Sequence, residues 1–353
     1  MTAMSQPNRG GSSSVSLPTN LQGGTGALVG SARAEHVTAP SESPTQLAVR
    51  RFRTNKIAMI ALVGFVIICS ASFATPWLES HWAGRTATEQ NLDGSIKLDG
   101  KKVEVVDLKG MPAVGPGLRK EYTFGADGLG RDVFIRALAG GSVSLRVGIG
   151  ATTLCILLGT LVGILGGYYR GRADKILTYV VDVMIAFPFM LFMIALSAAI
   201  AMSGQIGPIK STSILVPMIM LGALSSFGFS RVIRANAIEL GNKEYVEAAR
   251  ALGGNDKRIM FLHVLPHLLP TIITYSGILL AAMILGEAGL SFLGVGVQPP
   301  TPSWGNLIND GRAFYSTAWW VAAGGGIPVM ITVLCANLVG EGLEEAFDPK
   351  GNR

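Results

Sequence analysis

Six long apolar stretches, at roughly residues 57–77, 144–168, 176–201, 212–231, 269–292 and 318–340, dominate this chain. At 1.5 Å per residue, about 20 helical residues cross a hydrocarbon core of ~30 Å, so each stretch is long enough to span a bilayer. In lipid a lone spanning segment must satisfy its own backbone hydrogen bonds, which makes each one a helix. The expected fold class is therefore an all-α membrane protein of six transmembrane helices. A cleaved signal peptide is the alternative for 57–77. Its length and its distance from the N-terminus favour a retained helix.

Composition agrees. Hydrophobic residues make up 49% of the chain and charged residues only 15%, against about 25% charged in soluble domains. The 45 glycines fit helices whose backbones approach closely. A net charge of +6 does not imply nucleic acid, because the basic residues sit in short runs beside apolar stretches. Cys69, Cys155 and Cys335 each lie inside an apolar stretch without metal-ligand spacing and read as packing residues.

Basic clusters set the expected orientation. Arg50, Arg51, Arg53 and Lys56 precede the first helix, and Arg170, Arg172 and Lys175 fill the turn between the second and third. Arg231, Arg234, Lys243, Arg250, Lys257 and Arg258 lie between the fourth and fifth, whereas the opposite short loops hold little more than Lys210 and Arg312. The positive-inside rule then places both termini and the 4–5 loop in the cytoplasm of a multi-pass protein of the cytoplasmic (inner) membrane. The expected segments are a disordered cytoplasmic tail (1–46), an N-terminal transmembrane helix (47–78) and an external subdomain (79–140) with strand-like alternation at 101–108. A transmembrane domain (141–345) and a short cytoplasmic tail (346–353) complete the chain.

The cytoplasmic segment 240–266 carries the mechanistic signal. Residues 240–252 read as a short helix with Tyr245, Ala248, Ala249 and Leu252 along one face. Gly253 and Gly254 can take positive φ and stop it. Asn255 suits the cap of a second short helix, whose Ile259, Phe261, Leu262 and Leu265 lead to Pro266. Two helices about a glycine elbow make a rigid handle on which a soluble motor could push.

The run Glu247-Ala248-Ala249, followed by Gly253 and by Leu265-Pro266, resembles the EAA motif of binding-protein-dependent ABC importer permeases. Three further segments resemble the dipeptide, oligopeptide and nickel branch of that family: residues 124–132, 290–305 and 340–349. Ala126 stands where that branch commonly has Thr, and the N-terminal tail and first external loop are longer than usual for it. The resemblance spans roughly residues 50–350. It implies a MetI-like five-helix core plus an N-terminal helix, with Tyr245, Glu247, Ala248, Ala249, Gly253, Leu265 and Pro266 coupling to an ATPase. The implied partners are a homologous permease chain, two cytoplasmic ATP-binding subunits, an external solute-binding protein and membrane lipid. The implied cargo is a small peptide, with chelated nickel or another small solute as the alternative. No Gly-x-x-x-x-Gly-Lys-Ser/Thr loop occurs in the chain, so the energy comes from a partner; no cofactor, metal or catalytic set is expected.

Two intramembrane acids stand out. Asp182 is either path-lining or an interfacial acid paired with Arg170, Arg172 or Arg231, with Pro188 as a kink; Glu287 is either path-lining or structural. Arg146 reads as snorkelling to the interface, and Trp304 as an external interface residue beside a proline-stiffened connector. His263 and His267 have i, i+4 spacing but no third ligand nearby. A self-sufficient channel or secondary transporter, and a membrane-anchored enzyme or receptor acting through the 78–140 loop, are the rival classes.

Overall fold

The computed structural model describes residues 44–98, 101–117 and 121–347, all in one compact unit. The expected tail, up to residue 43, and most of segment 346–353 lie outside the described residues. Ten labelled elements of eight or more helical residues and two strands carry the account: α1 (Pro44–Thr54), α2 (Lys56–Phe73), β1 (Ser95–Leu98), β2 (Lys101–Glu104), α3 (Val133–Tyr169), α4 (Gly171–Ala186), α5 (Phe189–Ser203), α6 (Leu215–Gly241), α7 (Glu244–Ala251), α8 (Leu265–Phe292), α9 (Trp304–Gly311) and α10 (Trp319–Phe347).

Among the described residues five helices are long and apolar enough to cross a membrane, and six if α4 and α5 count as one broken span. The stretch expected as one helix at 176–201 is bent by 88°. Its break falls at Phe187-Pro188, where both residues take extended ψ angles of 134° and 112°. Proline offers no N–H to the ladder and pushes the residue before it out of the α region, so helix ends there. The first helix differs too. Where 47–78 was expected as one element, Asn55 adopts extended backbone and separates α1 from α2, its side chain accepting from the Ala58 N–H at 3.0 Å. An interrupted backbone with a satisfied cap is a stable boundary.

The core is built where α3 lies along α6. Gly159, Gly163 and Gly167 recur every fourth residue on α3 and face α6 so closely that a Cβ on Gly163 would sit 2.7 Å from the Ser230 carbonyl oxygen. Absence of side chains along that stripe lets the backbones meet, as membrane helix pairs do through small residues. Phe229, Ile233, Ala237, Met193 and Leu221 complete this buried cluster. By contrast, Ile57, Ile60, Val63 and Ile67 of α2 are exposed. An apolar face of that size needs lipid or another chain against it.

Described residues 84–98, 101–117 and 121–132 form a small unit between α2 and α3. β1 and β2 pair antiparallel, and Ile96, Val105, Val106, Val114, Tyr122 and Ala126 make its own core. Tyr122 Oη donates to the Gly130 carbonyl at 3.1 Å and accepts from Asn91 Nδ2 at 2.9 Å. Asp132 then caps α3, accepting from the Phe134 N–H at 2.9 Å. Helix α3 thus begins earlier than the apolar stretch at 144 suggests.

Candidate functional site

The segment between α6 and α8 is built differently from the expected pair of short helices. Helix α6 runs on to Gly241, and only after the turn at Asn242 and Lys243 does α7 begin. The first expected helix, 240–252, is thereby split, because its opening residues continue the span. Val246 is the buried residue of α7; Glu247 and Ala248 are exposed and Ala249 is half-buried. Leu252, placed by periodicity on the packed face, is almost fully exposed, because it caps the helix and points away from the bundle. Gly253 takes φ of 81° and turns the chain, as its sequence position suggests. Asn255 Oδ1 accepts from the Lys257 N–H at 3.3 Å and starts a helical turn at Asp256. That turn continues through a π-turn, Met260–Val264, straight into α8. The second expected helix is therefore the projecting end of a span, with half-buried Leu265 and exposed Pro266 at its junction. Proline has no N–H to donate, and it stands directly after the π-turn, where the α-helical ladder is already interrupted.

Side chains fix this projection to the bundle. Tyr245 stacks on His267 with centroids 5.1 Å apart, and His267 Nδ1 donates to the His263 carbonyl at 2.7 Å. Those two histidines thus serve α7 and the backbone. Tyr168, at the end of α3, donates its hydroxyl to Asp256 at 2.8 Å, while the Arg250 guanidinium lies over its ring at 5.5 Å. Bonding to Tyr168 holds the Arg250 guanidinium above its ordinary pKa, so it stays charged. A polar cavity of about 430 Å³ opens here, lined by Arg170, Asn242, Glu247, Arg250 and Asp256 among others.

Within the spans, Asp182 pairs with Arg231, and both side chains are about half exposed, at 52% and 50%. Beside them Asp174 receives a two-pronged contact from Arg234 at 2.5 and 2.7 Å. Glu287 is different. It is fully buried, accepts from Ser291 Oγ at 2.7 Å, and its second oxygen has no partner among the described residues. Its side chain lies among packed neighbours rather than on an open surface of the chain. Trp304 is corrected from interface to core: it is 1% exposed and donates Nε1–H to the Ala137 carbonyl at 2.9 Å. Its neighbours come from α3, α8 and α10, and hydropathy near Trp304 does not reveal them. Arg146 is exposed and folds back, Nε donating to the Ser142 carbonyl at 2.8 Å.

One cluster was not singled out in the sequence. Buried Asp127 holds Arg131 at 2.7 Å and also contacts Arg136, and both arginines reach Asp310 of α9, at 3.0 and 2.9 Å. Two acids and two arginines leave the knot neutral, which makes its burial affordable. Alongside it, burial pushes the Asp132 carboxyl above its ordinary pKa, opposed by backbone N–H bonds from Tyr122, Ile135 and Phe134. The signal was present in the closely spaced charges of 127–136 ahead of an apolar run. The partner at Asp310 was too distant in sequence to pair.

With the geometry in place, comparison decides the family. Residues 159–352, more than half of the chain, match the family described as binding-protein-dependent transport system inner membrane component. The chain belongs to that family. Residues 43–93 match the N-terminal transmembrane domain of oligopeptide transport permease C. The chain is 31% identical over 318 residues to the oligopeptide transport system permease protein OppC of Haemophilus influenzae, covering 90% of this chain and 92% of that one. It is 32% identical over 308 residues to the dipeptide transport system permease protein DppC of Alkalihalophilus pseudofirmus, covering 87% and 90%. It is 33% identical over 301 residues to the glutathione transport system permease protein GsiD of Escherichia coli, covering 85% and 89%. A solved inward-facing structure of the MetNI methionine ABC transporter matches with TM-score 0.50 and 17% identity, over 61% of this chain and 96% of that one, which bears on fold alone. As a member, the chain is a membrane-embedded permease component working with ATPase and solute-binding partners.

Proposed function

We propose that this permease carries small peptides inward across the cytoplasmic membrane, beside a second, homologous permease chain. The names of the relatives support that cargo: oligopeptide, dipeptide and glutathione transport share peptide-bonded solutes, and none of these three concerns nickel. Two ATP-binding subunits would grip the projection at α7 from the cytoplasm, and a solute-binding protein would deliver from outside. Asp182, with Arg231, would line the path. Both side chains are half-exposed on helices of the membrane-spanning set, and an ion pair there needs water or protein rather than lipid against it.

The observation that carries the coupling role is the exposed α7, held at a fixed angle by Tyr245, Tyr168 and the positive φ of Gly253. A handle with satisfied contacts on one side and bare Glu247 and Ala248 on the other transmits rigid-body motion. Co-purification with the ATPase tests it. Gly253→Val should keep membrane abundance near normal, because a Cβ there meets no atom within 4 Å and only backbone strain of ~1–3 kcal/mol is added. ATPase recovery and peptide uptake should both fall, and Glu247→Arg should act likewise. Normal uptake by an abundant Gly253→Val protein would refute the coupling role.

A further inference from the structure

Two cavities adjoin where α1 meets the end of α10, and they differ in chemistry. One, of about 460 Å³, is lined by Gln46, Val49, Arg50, Arg53 and Thr54. The other, of about 300 Å³, is an apolar groove walled by Phe52, Met59 and Leu62 on one side and by Leu343, Ala346 and Phe347 on the other. They share Val49 and Arg53, so a cationic rim runs directly into an apolar slot. The walls are fixed. Ala48 is buried, a Cβ on Gly342 would meet the Phe52 ring at 3.2 Å, and Asn55 Nδ2 donates to Glu345 Oε2 at 2.7 Å.

We propose that this junction binds one anionic phospholipid, its phosphate against Arg50 and Arg53 and one acyl chain in the groove. A ligand with one anionic end and one apolar end matches the two arginines and the groove beside them. Guanidinium forks match phosphate oxygens in pairs. The arginines sit on amphipathic α1, just before the start of the spanning helix α2, where lipid headgroups would lie. A protein segment would need an apolar side chain and an acidic one at the same spacing; a phospholipid carries both in every molecule. Placing the site in the cytoplasmic leaflet rests on the orientation proposed above, but the binding itself does not.

Native mass spectrometry of the full-length chain, purified with its partner subunits and titrated with phosphatidylglycerol or phosphatidylcholine in detergent, tests the site. The expected result is one saturable phosphatidylglycerol and no comparable phosphatidylcholine adduct. Arg50→Gln and Arg53→Gln should each weaken it about fivefold, as expected for one basic side chain near an anionic surface. Val49→Trp, which fills the groove and keeps every charge, should remove it, while Arg51→Gln, outside both cavities, should not. Val49, Arg50 and Arg53 are exposed, so thermal stability should remain that of the parent. Equal binding of both lipids, an unsaturable series that Arg51→Gln lowers equally, or an unchanged Val49→Trp would overturn the proposal. So would a groove covered by a partner subunit in the complex. None of these outcomes depends on what the importer carries.

Discussion

Trp304 shows how far a residue's role depends on neighbours that its own sequence does not name. Beside three prolines and ahead of an external loop it reads as a membrane-interface aromatic, yet it is the largest fully buried side chain among the described residues, packed with Leu145, Ile284, Ala288 and Val329. Its indole nitrogen is also committed, to the Ala137 carbonyl. Trp304→Phe would keep a ring but lose that bond and leave a void, while the Ala137 carbonyl keeps its helical partner in α3. Losing such a hydrogen bond costs ~0.5–1.5 kcal/mol, and the void adds to it. The expected outcome is a clear drop in the thermal midpoint of the purified complex. An unchanged midpoint would mean that Trp304 is no more than an aromatic filler. Gly253 is the opposite case. Its need for positive φ follows from the residues before it, and the structure places it at 81°.

At the level of elements, apolar length was legible because lipid leaves a spanning chain few alternatives to helix. Boundaries were less so. Phe187 and Pro188 continue the apolar run, so hydropathy passes smoothly over a bend of 88°. The far end of α6 was hidden for the converse reason: Arg231, Arg234 and Glu239 make it look like a loop, although the same helix continues along α3. Contact between α3 and α6 rests on the glycine stripe, and it gives a sharp expectation. Gly163→Ala would bring a Cβ to 2.7 Å from both the Ser230 carbonyl and Ile233 Cβ, so the helices must separate. Overpacking of this kind costs ~1–3 kcal/mol. Gly326→Ala in α10, where a Cβ meets nothing within 4 Å, is the matched control and should be neutral. Thermal unfolding of the two variants in detergent checks this, and equal midpoints would remove close backbone approach as the basis of the α3–α6 pairing.

Over the whole molecule, parity of the spans decides what faces the ATPase, and the bent α4–α5 pair makes that parity a real question. Counted as one span, it gives six crossings and puts α1 and α7 on the same side; counted as a re-entrant pair, it gives five and separates them. The charge pattern favours the first, since the basic residues before α2, between α3 and α4, and around α7 would then share one leaflet. The external unit would lie opposite, locked to α9 through Asp127 and Asp310 on the same side. Cysteine labelling with an impermeant reagent resolves this. Cys155 and Cys335 are buried and Cys69 is partly so, and all three are replaced first to give a clean background. Ser95→Cys, at an exposed position of β1, should label in intact cells. Lys257→Cys, exposed beside the Gly253 elbow, should label only after the membrane is opened. Arg53→Cys, exposed on α1, should behave as Lys257→Cys does if α4 and α5 cross once together. Labelling of Arg53→Cys but not Lys257→Cys in intact cells would make the pair re-entrant. Labelling of Lys257→Cys in intact cells would put α7 where no cytoplasmic ATPase could reach it, and the coupling role proposed for Glu247, Ala248 and Gly253 would fall with it.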